Sequence, residues 1–372
     1  MTRKLLFLNG LAAIMVVLNH SASYGLNALF FWTDRYRQVS VPNFDQYGSL
    51  AYYILFFIHE LAEFAIPAFL FVSGFFIAFA ARTSAEGIKR EFITSRIKKL
   101  FIPFIVWSLV VIIVLQRYPN SLIQALSVDY YINAIGQILR VYYYIPLIIQ
   151  YYLLSPLLVP LAKDRWKLLL IITAIIQFGL ESLRLLALLG VDFPGRELII
   201  RLTPIWFFPG RIFYFSIGLV AGFHIQEFGQ WLSRTKWLLL AASVILFALS
   251  FAEYEYLTNL LQDLWLVPKY SGLFRALFAV TFTLSILAFD KIPIPYPQKI
   301  ANLGGKSLGI YFANTPILYI VASFMYYVTP RILGMPLVYQ IILISIGLGG
   351  SLLLMTIILK SPARKAYPYI FG

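Results

Sequence analysis

Long apolar runs recur along the whole chain, and they constrain its fold more than any other feature. Several are about 17–25 residues long, the length that an α-helix needs to cross a bilayer. The sequence is 60% hydrophobic and only 12% charged, whereas soluble domains are near a quarter charged. A soluble fold of 372 residues would need a larger apolar core than a domain can bury. The pattern therefore predicts an all-α, polytopic membrane helical bundle.

About ten membrane-spanning helices are predicted, with both termini on the cytoplasmic side. Basic residues collect in the connections that this arrangement places inside the cell, most densely between Arg82 and Leu100, as the positive-inside rule requires. The net charge of +14 is therefore assigned to membrane orientation. No nucleic-acid motif accompanies it, and we expect no nucleic-acid partner. The expected location is the cell (inner or plasma) membrane, with the lipid bilayer as a partner.

The residue inventory excludes several kinds of chemistry. The sequence contains no cysteine, which rules out disulfides, thiolate catalysis and cysteine metal sites. Its three histidines lie far apart in sequence, at positions 20, 59 and 224, so we predict no metal site. We also expect no bound cofactor. We see no internal repeat or low-complexity linker, and therefore expect one membrane domain over residues 1–372. The first apolar run lacks a small-residue cleavage site and is expected to be a retained helix.

The first helix, from Leu5 to His20, carries two polar residues on one face. Asn9 and His20 are eleven residues apart, which places them about 20° apart around a helix and roughly 16 Å apart along it. Ionisable side chains within a membrane are rare and costly. His20 is therefore a candidate general base near neutral pH. The alternative is a histidine that bonds a backbone carbonyl at the helix end or is exposed at the outer interface.

The second apolar run, from about Gly48 to Ala81, is too long for one perpendicular span. Pro67 is expected to bend or divide it. His59, Glu60 and Glu63 precede this proline. Burying the two carboxylates unpaired would be expensive, so we expect a partner or a water-filled cavity.

Two explanations are open for these carboxylates. Glu60 or Glu63 could orient the imidazole of His20, or they could form an ion pair at the outer rim with no catalytic role. Further along the same run, Ser73 and Gly74 mark either a close helix-packing point or a place where a ligand approaches the backbone.

Two explanations are open for other charged residues as well. Arg96 and Lys99 are three residues apart and share a helical face, where they could hold phosphate groups of a cytosolic donor. The alternative is anchoring to anionic lipid. Three further arginines, which lie within or beside apolar runs, either snorkel to the surface or line a cavity. They are Arg184, Arg211 and Arg275.

Four stretches, in this order, resemble motifs of the acyltransferase 3 family of integral membrane acyltransferases. They are LNGLAAIMVVLNH, FAIPAFLFVSGFFI, SRIKKLFIPFIVWSLV and LGGKSLGIYFANTPIL. The similarity extends over nearly the whole chain. It implies an enzyme that transfers an acyl group, commonly acetyl, from cytosolic acyl-CoA to a hydroxyl of a carbohydrate or glycolipid. Acyl-CoA would be the donor substrate and not a resident cofactor.

The resemblance also implies roles for particular residues. His20 takes the position of the catalytic histidine. Arg96 and Lys99 take the basic positions proposed to contact the donor, and Ser73 and Gly74 take the positions of the Ser-Gly motif.

Three positions depart from the family pattern. Asn9, which takes a donor-contact position, stands where the family often has arginine. Glu63 stands where related sequences often have a basic residue, and Asn314 stands where many members have histidine. Charge around the first two helices is therefore redistributed.

These observations lead to one principal hypothesis and two alternatives. In the principal hypothesis, His20 takes the proton of the acceptor hydroxyl while Glu60 or Glu63 orients the imidazole. The first alternative is a transporter or exporter of a glycan or lipid-linked intermediate, which ten helices with buried charges would also suit. The second alternative is a non-catalytic membrane partner in a glycan-synthesis complex.

Overall fold

A computed structural model of the chain describes residues 2–33, 37–38, 44–82, 88–115, 127–202, 204–261, 272–289 and 295–372. Within this part the predicted fold class is confirmed, because nearly all regular structure is α-helix. The described strands form one antiparallel pair of two residues each, β1 (Trp32–Thr33) and β2 (Arg37–Gln38). Parts of several predicted connections, including Asp263 and the start of the proline-rich IPIPYP segment, lie outside the described residues.

The described helices follow one another along the whole chain. They are α1 (Thr2–Phe31), α2 (Leu50–Ala62), α3 (Ala65–Arg82), α4 (Arg90–Leu115), α5 (Val128–Val141), α6 (Tyr144–Asp164), α7 (Trp166–Leu188), α8 (Arg196–Leu202), α9 (Ile212–Phe223), α10 (Ile225–Leu261), α11 (Leu273–Ala288), α12 (Pro297–Gly304), α13 (Ser307–Val328), α14 (Pro336–Lys360) and α15 (Tyr367–Phe371).

Eight helical stretches in the described residues are long and apolar enough to cross a membrane. They are Arg3–Phe31, Leu50–Arg82, Arg90–Leu115, Tyr144–Asp164, Trp166–Leu188, Ile225–Leu261, Ser307–Val328 and Pro336–Lys360. Two shorter apolar helices, Phe208–Phe223 and Leu273–Ala288, accompany them. The chain is therefore a multi-pass membrane protein, while the number of spans and the side of each terminus stay predictions.

Several helices extend beyond the apolar runs that predict them. The sequence predicts a helix from Phe101 to about Gln116, but α4 already begins at Arg90. It likewise predicts Trp237 to Ala252, whereas α10 has 37 residues. The reason is physical, since the length of an apolar run matches the thickness of the bilayer and a helix can continue into water. Much of the basic segment after Arg82 is consequently helical.

The second apolar run is divided just before Pro67. Helix α2 ends at Ala62 and α3 begins at Ala65. Pro67 therefore lies in the first turn of α3, where backbone N–H groups have no partner within the helix in any case. The amide of Ala68 donates to the carbonyl of Phe64 at 2.9 Å and starts the regular pattern.

The chain divides into two compact units, each built from stretches that alternate in sequence. Unit 1 contains Met1–Ala12, Glu63–Lys98 and Tyr143–Gly304, and unit 2 contains Ala13–Ala62, Lys99–Tyr142 and Gly305–Gly372. Because neither unit is one continuous piece of the chain, this division is not a boundary between consecutive domains.

In unit 1, glycines let α3 and α9 pack backbone to backbone. A Cβ atom added to Gly218 would collide with the backbone of Phe71, and one added to Gly74 would collide with the carbonyl of Phe215. A Cβ atom at Gly222 would lie 2.6 Å from that of Ala78. Small residues allow such close approach where lipid provides no hydrophobic drive between helices.

Helix α7 of unit 1 has its polar face inward. Thr173, Gln177 and Glu181 are buried. In contrast, Ile171 and Ile175 on the other side of the helix are 58% and 68% exposed. This arrangement is opposite to that of a soluble helix and is typical of a helix with lipid around the protein.

In unit 2, α13 and α14 pack beside α1 around one apolar core. Its buried members come from all three helices and from the short turn between the last two. They are Ala28, Leu318, Ala322, Met325, Leu333, Tyr339 and Leu343. The indole of Trp107 on α4 donates to the carbonyl of Ile370 at 2.7 Å and so ties the C-terminal segment to this unit.

We predict that Gly218→Ala destabilises the protein by about 1–3 kcal/mol, since the new methyl group overpacks the contact between α3 and α9. Gly179→Ala is the matched control, because nothing lies within 4 Å of a Cβ atom at this helical glycine. Unfolding in mixed micelles measures both. The packing argument would be wrong if the two variants were equally stable.

Candidate active site

Two side chains of α13 hold the imidazole of His20 in unit 2. Its Nδ1 atom is 2.7 Å from Oδ1 of Asn314 and 3.1 Å from Oγ1 of Thr315. Both separations are hydrogen-bond distances. His20 is half-buried, and α1 continues beyond it to Phe31. The histidine therefore lies inside a helix and is bonded through its side chain.

Asn314 is fully buried, and its amide is anchored to its own helix. The Nδ2 atom donates to the carbonyl oxygens of Ile310 and Tyr311 at 2.7 and 2.8 Å. Both partners can only accept. The side chain of Asn314 thus connects the backbone of α13 to the imidazole.

A proline close to Asn314 frees a carbonyl, and a tyrosine bonds it. Pro316 has no N–H and cannot donate to the carbonyl of Phe312, its partner in an unbroken helix. The hydroxyl of Tyr142 donates to this oxygen instead, at 2.9 Å. Burial raises the pKa of the Tyr142 phenol above its ordinary value, so this group stays a protonated donor. The backbone beside Asn314 is therefore fixed.

Further polar groups of unit 2 surround this part of α1. The amide of Asn19 donates to the carbonyl of His59 at 3.3 Å, which connects α1 to α2. Nδ1 of His59 is 3.6 Å from a carboxylate oxygen of Glu60, and both side chains are buried. On the other side, the amide of Gln340 is 2.9 Å from the hydroxyl of Ser21.

The predicted site residues fall in both units. Unit 2 contains His20, Glu60 and Lys99. Unit 1 contains Asn9, Glu63, Ser73, Gly74 and Arg96. The roles predicted for Glu60 and Glu63 stay predictions. At Nδ1 of His20 the structure places an amide and a hydroxyl.

In unit 1, Ser73 and Arg96 both interact with the phenol of Tyr152. The Ser73 hydroxyl is 3.4 Å from that of Tyr144. The side chain of Ser73 is hydrogen-bonded to the phenol of Tyr152, and the charge of Arg96 interacts electrostatically with the same group. The guanidinium of Arg96 is exposed and lies 5.1 Å from the ring centroid of Phe92, one turn earlier on α4. Arg96, which the family resemblance assigns to donor contact, is thus close to a polar cluster that contains Ser73 of the Ser-Gly motif.

Gly74 and Asn9 have different surroundings. Gly74 lies against the backbone of Phe215, as a close helix-packing point requires, and the approach of a ligand to its backbone is not tested by this contact. The Oδ1 atom of Asn9 is buried and has no hydrogen-bond partner among the described residues. Contact of either residue with the donor stays a prediction.

Two of the three arginines in apolar runs are buried within the protein, Arg184 and Arg275. Arg184 on α7 makes an ion pair with Glu181 at 3.2 Å. The guanidinium carbon of Arg275 lies 5.7 Å from the ring centroid of Tyr254. Cation–π and ionic partners of this kind offset the cost of burying charge away from water.

The third arginine, Arg211, lies in a polar part of unit 1. Its guanidinium is 5.5 Å from the ring centroid of Tyr143. The carboxylates of Glu63 and Glu181 both interact with its charge. Arg211 is thus a candidate for the partner that the sequence predicts for the Glu63 carboxylate.

The pairing of His20 with Asn314 was not predicted from the sequence. The two residues are 294 positions apart, and nothing in either segment indicates which helices become neighbours. The available signal was an asparagine in the middle of an apolar helix. The sequence comparison identified it only as a departure from the family pattern.

Comparison with known proteins gives one result. The acyltransferase 3 family model, described as an acyltransferase domain, matches residues 5–356, which is nearly the whole chain. No curated protein and no solved structure matches it. The matched range includes every residue assigned above to the candidate site.

We predict that Arg184→Met destabilises the protein by about 3–5 kcal/mol, because it leaves the buried Glu181 carboxylate without this ion-pair partner. The double variant Glu181→Gln/Arg184→Met should lose less than the sum of the two single variants. Arg165→Met, at an exposed position, is the control. Strictly additive losses in mixed-micelle unfolding would contradict the coupling.

Proposed function

Because the chain belongs to the acyltransferase 3 family and is a membrane acyltransferase, we propose that its donor is cytosolic acyl-CoA. The acceptor is a hydroxyl of a carbohydrate or glycolipid, and the acyl group is acetyl. The protein works in the cell (inner or plasma) membrane with both termini on the cytoplasmic side. The reaction is then an O-acetylation of a surface polysaccharide or of a lipid-linked glycan.

The observation that carries this proposal is the orientation of His20. A general base must keep its ring in a defined direction toward the proton that it removes. The 2.7 Å bond to Asn314 and the 3.1 Å bond to Thr315 supply that constraint. They act inside a helix that the family match includes.

The proposed step is direct acyl transfer. The acceptor oxygen attacks the thioester carbonyl carbon while the imidazole of His20 removes its proton. The carbon–sulfur bond then breaks, and the imidazolium returns the proton to the departing CoA thiolate. Base catalysis of this kind contributes roughly 10²–10⁴-fold to rate. Glu60 or Glu63 is proposed as the second group that supports the base.

Donor binding is proposed at the start of α4. Arg96 and Lys99 both lie on this helix and are exposed, which suits the phosphate groups of CoA. The cluster of Ser73 and Tyr152 beside Arg96 supports the same location. Asn9 and Gly74 are proposed as further donor contacts, and Asn9 would act through its amide and not through charge.

We predict that His20→Ala lowers acyl transfer by 10²–10⁴-fold, as loss of a general base requires. The measurement is transfer of label from acetyl-CoA to the carbohydrate fraction in membranes that contain the protein. His224→Gln is the control, since the imidazole of His224 lies in unit 1, 3.2 Å from the Ala162 carbonyl, and has no role in the proposed reaction. Because the protein contains no cysteine, thiol titration of purified protein reports released CoA alone.

Full activity of His20→Ala would contradict the catalytic role. The alternative function makes a different prediction for cells. If deletion of the gene abolished surface glycan while the acyl content of the remaining lipid-linked glycan was unchanged, the protein would be an exporter. Loss of acyl groups with normal glycan export supports the transferase.

We predict that Arg96→Ala and Lys99→Ala each raise KM for acyl-CoA by about 10–10²-fold, the equivalent of one charge-assisted hydrogen bond. Lys98→Ala is the matched control, because it removes the same charge from the same turn but points to a different face, about 200° around the helix from Arg96. Equal effects of all three variants would indicate a general attraction to anionic lipid.

A further inference from the structure

We propose that Asn314 is a positioning residue that holds His20 in the tautomer with its proton on Nδ1. The lone pair is then on Nε2, and Nε2 is the atom that removes the acceptor proton. The assignment of the tautomer stands on geometry alone. Its catalytic consequence rests on the proposed function.

The orientation of the Asn314 amide is decided by its own helix. Its NH₂ group donates to the carbonyls of Ile310 and Tyr311 at 2.7 and 2.8 Å. Reversing the amide would direct its oxygen at two carbonyl oxygens, neither of which can donate a hydrogen bond. The network therefore fixes Oδ1 as the atom that faces His20, which is how such amides are assigned.

The hydrogen-bonding partners of His20 also decide which nitrogen of its imidazole carries the proton. An amide oxygen only accepts, so a 2.7 Å contact from Oδ1 of Asn314 to Nδ1 of His20 requires Nδ1 to donate. A neutral imidazole has one N–H, and the other nitrogen is the acceptor. The hydroxyl of Thr315 at 3.1 Å can accept from the same N–H. If Nδ1 instead accepted from Thr315, two acceptor atoms would face each other at 2.7 Å.

Burial makes this arrangement strict. Asn314 is completely shielded from solvent, so no water replaces its bond to His20. A buried acceptor left without its donor carries the full desolvation penalty of that group, which disfavours the other tautomer. In hydrolases with a serine–histidine–aspartate triad, loss of tautomer control lowers kcat by about 10⁴. A neutral amide can set the tautomer without adding a charge to the membrane interior.

The test is nitrogen-15 NMR of the full chain in lipid vesicles, with labelled histidine. The chain has three histidines, and the signals of His20 are those lost in His20→Gln. In the wild type we expect the proton of neutral His20 on Nδ1. In Asn314→Leu we expect it to move to Nε2 in a large fraction of molecules, whereas Thr315→Val should leave it on Nδ1.

Activity supplies a second readout. Asn314→Leu should lower kcat by about 10²-fold and leave KM for acetyl-CoA unchanged, because donor binding does not involve Asn314. Asn314→Asp keeps an acceptor oxygen and should keep a proton on Nδ1. The signals of His224, which is in unit 1, report whether each variant is folded.

The proposal is overturned if neutral wild-type His20 carries its proton on Nε2, a result that needs no variant. It is also overturned if folded Asn314→Leu leaves the proton on Nδ1. Failure of the proposed function looks different. In that case the proton moves in Asn314→Leu as expected, but wild-type membranes transfer no acyl group from acetyl-CoA.

Discussion

The absence of water from the hydrocarbon core of a bilayer is the constraint on which this structure depends. Each polar group must find its partner within the protein. Backbone groups achieve this in helices, and hydroxyls achieve it by bonding carbonyls one turn earlier, as Ser108, Ser243 and Ser351 do at 2.6–2.7 Å. The inward polar face of α7 and the phenol that bonds the carbonyl freed by Pro316 satisfy the same requirement.

The proposed catalytic base is subject to the same requirement, and this explains the form of the His20 site. A carboxylate beside the histidine would need further partners to offset its charge, whereas the Asn314 amide satisfies all of its own donors on one turn of α13. Charged side chains occur where other charges balance them, as around Arg184 and Arg211 in unit 1. Chemistry and stability thus use the same hydrogen-bonding rules.

Much of the fold could be predicted from the sequence, because the thickness of the bilayer sets the length of the apolar runs that cross it. Helix ends such as Arg90 could not be predicted, since a helix can extend beyond its apolar run into water. The division before Pro67 followed from the missing N–H of proline. At the candidate site, the family motif predicted a role for His20, but the sequence did not indicate which side chains contact its imidazole. The Arg184–Glu181 pair has local spacing that could have been used, but the partnership of His20 and Asn314 depends on tertiary packing.

The outward face of α7 has a consequence for how sequences of this kind diverge. Lipid accepts Leu, Ile, Val or Phe almost equally, so substitutions at positions such as Ile171 and Ile175 change little in the energy of the folded state. Sequence identity can therefore drift quickly over most of the molecular surface. The buried amides, carboxylates and glycines lack such freedom, and they contain most of the information by which distant members of such a family could be aligned.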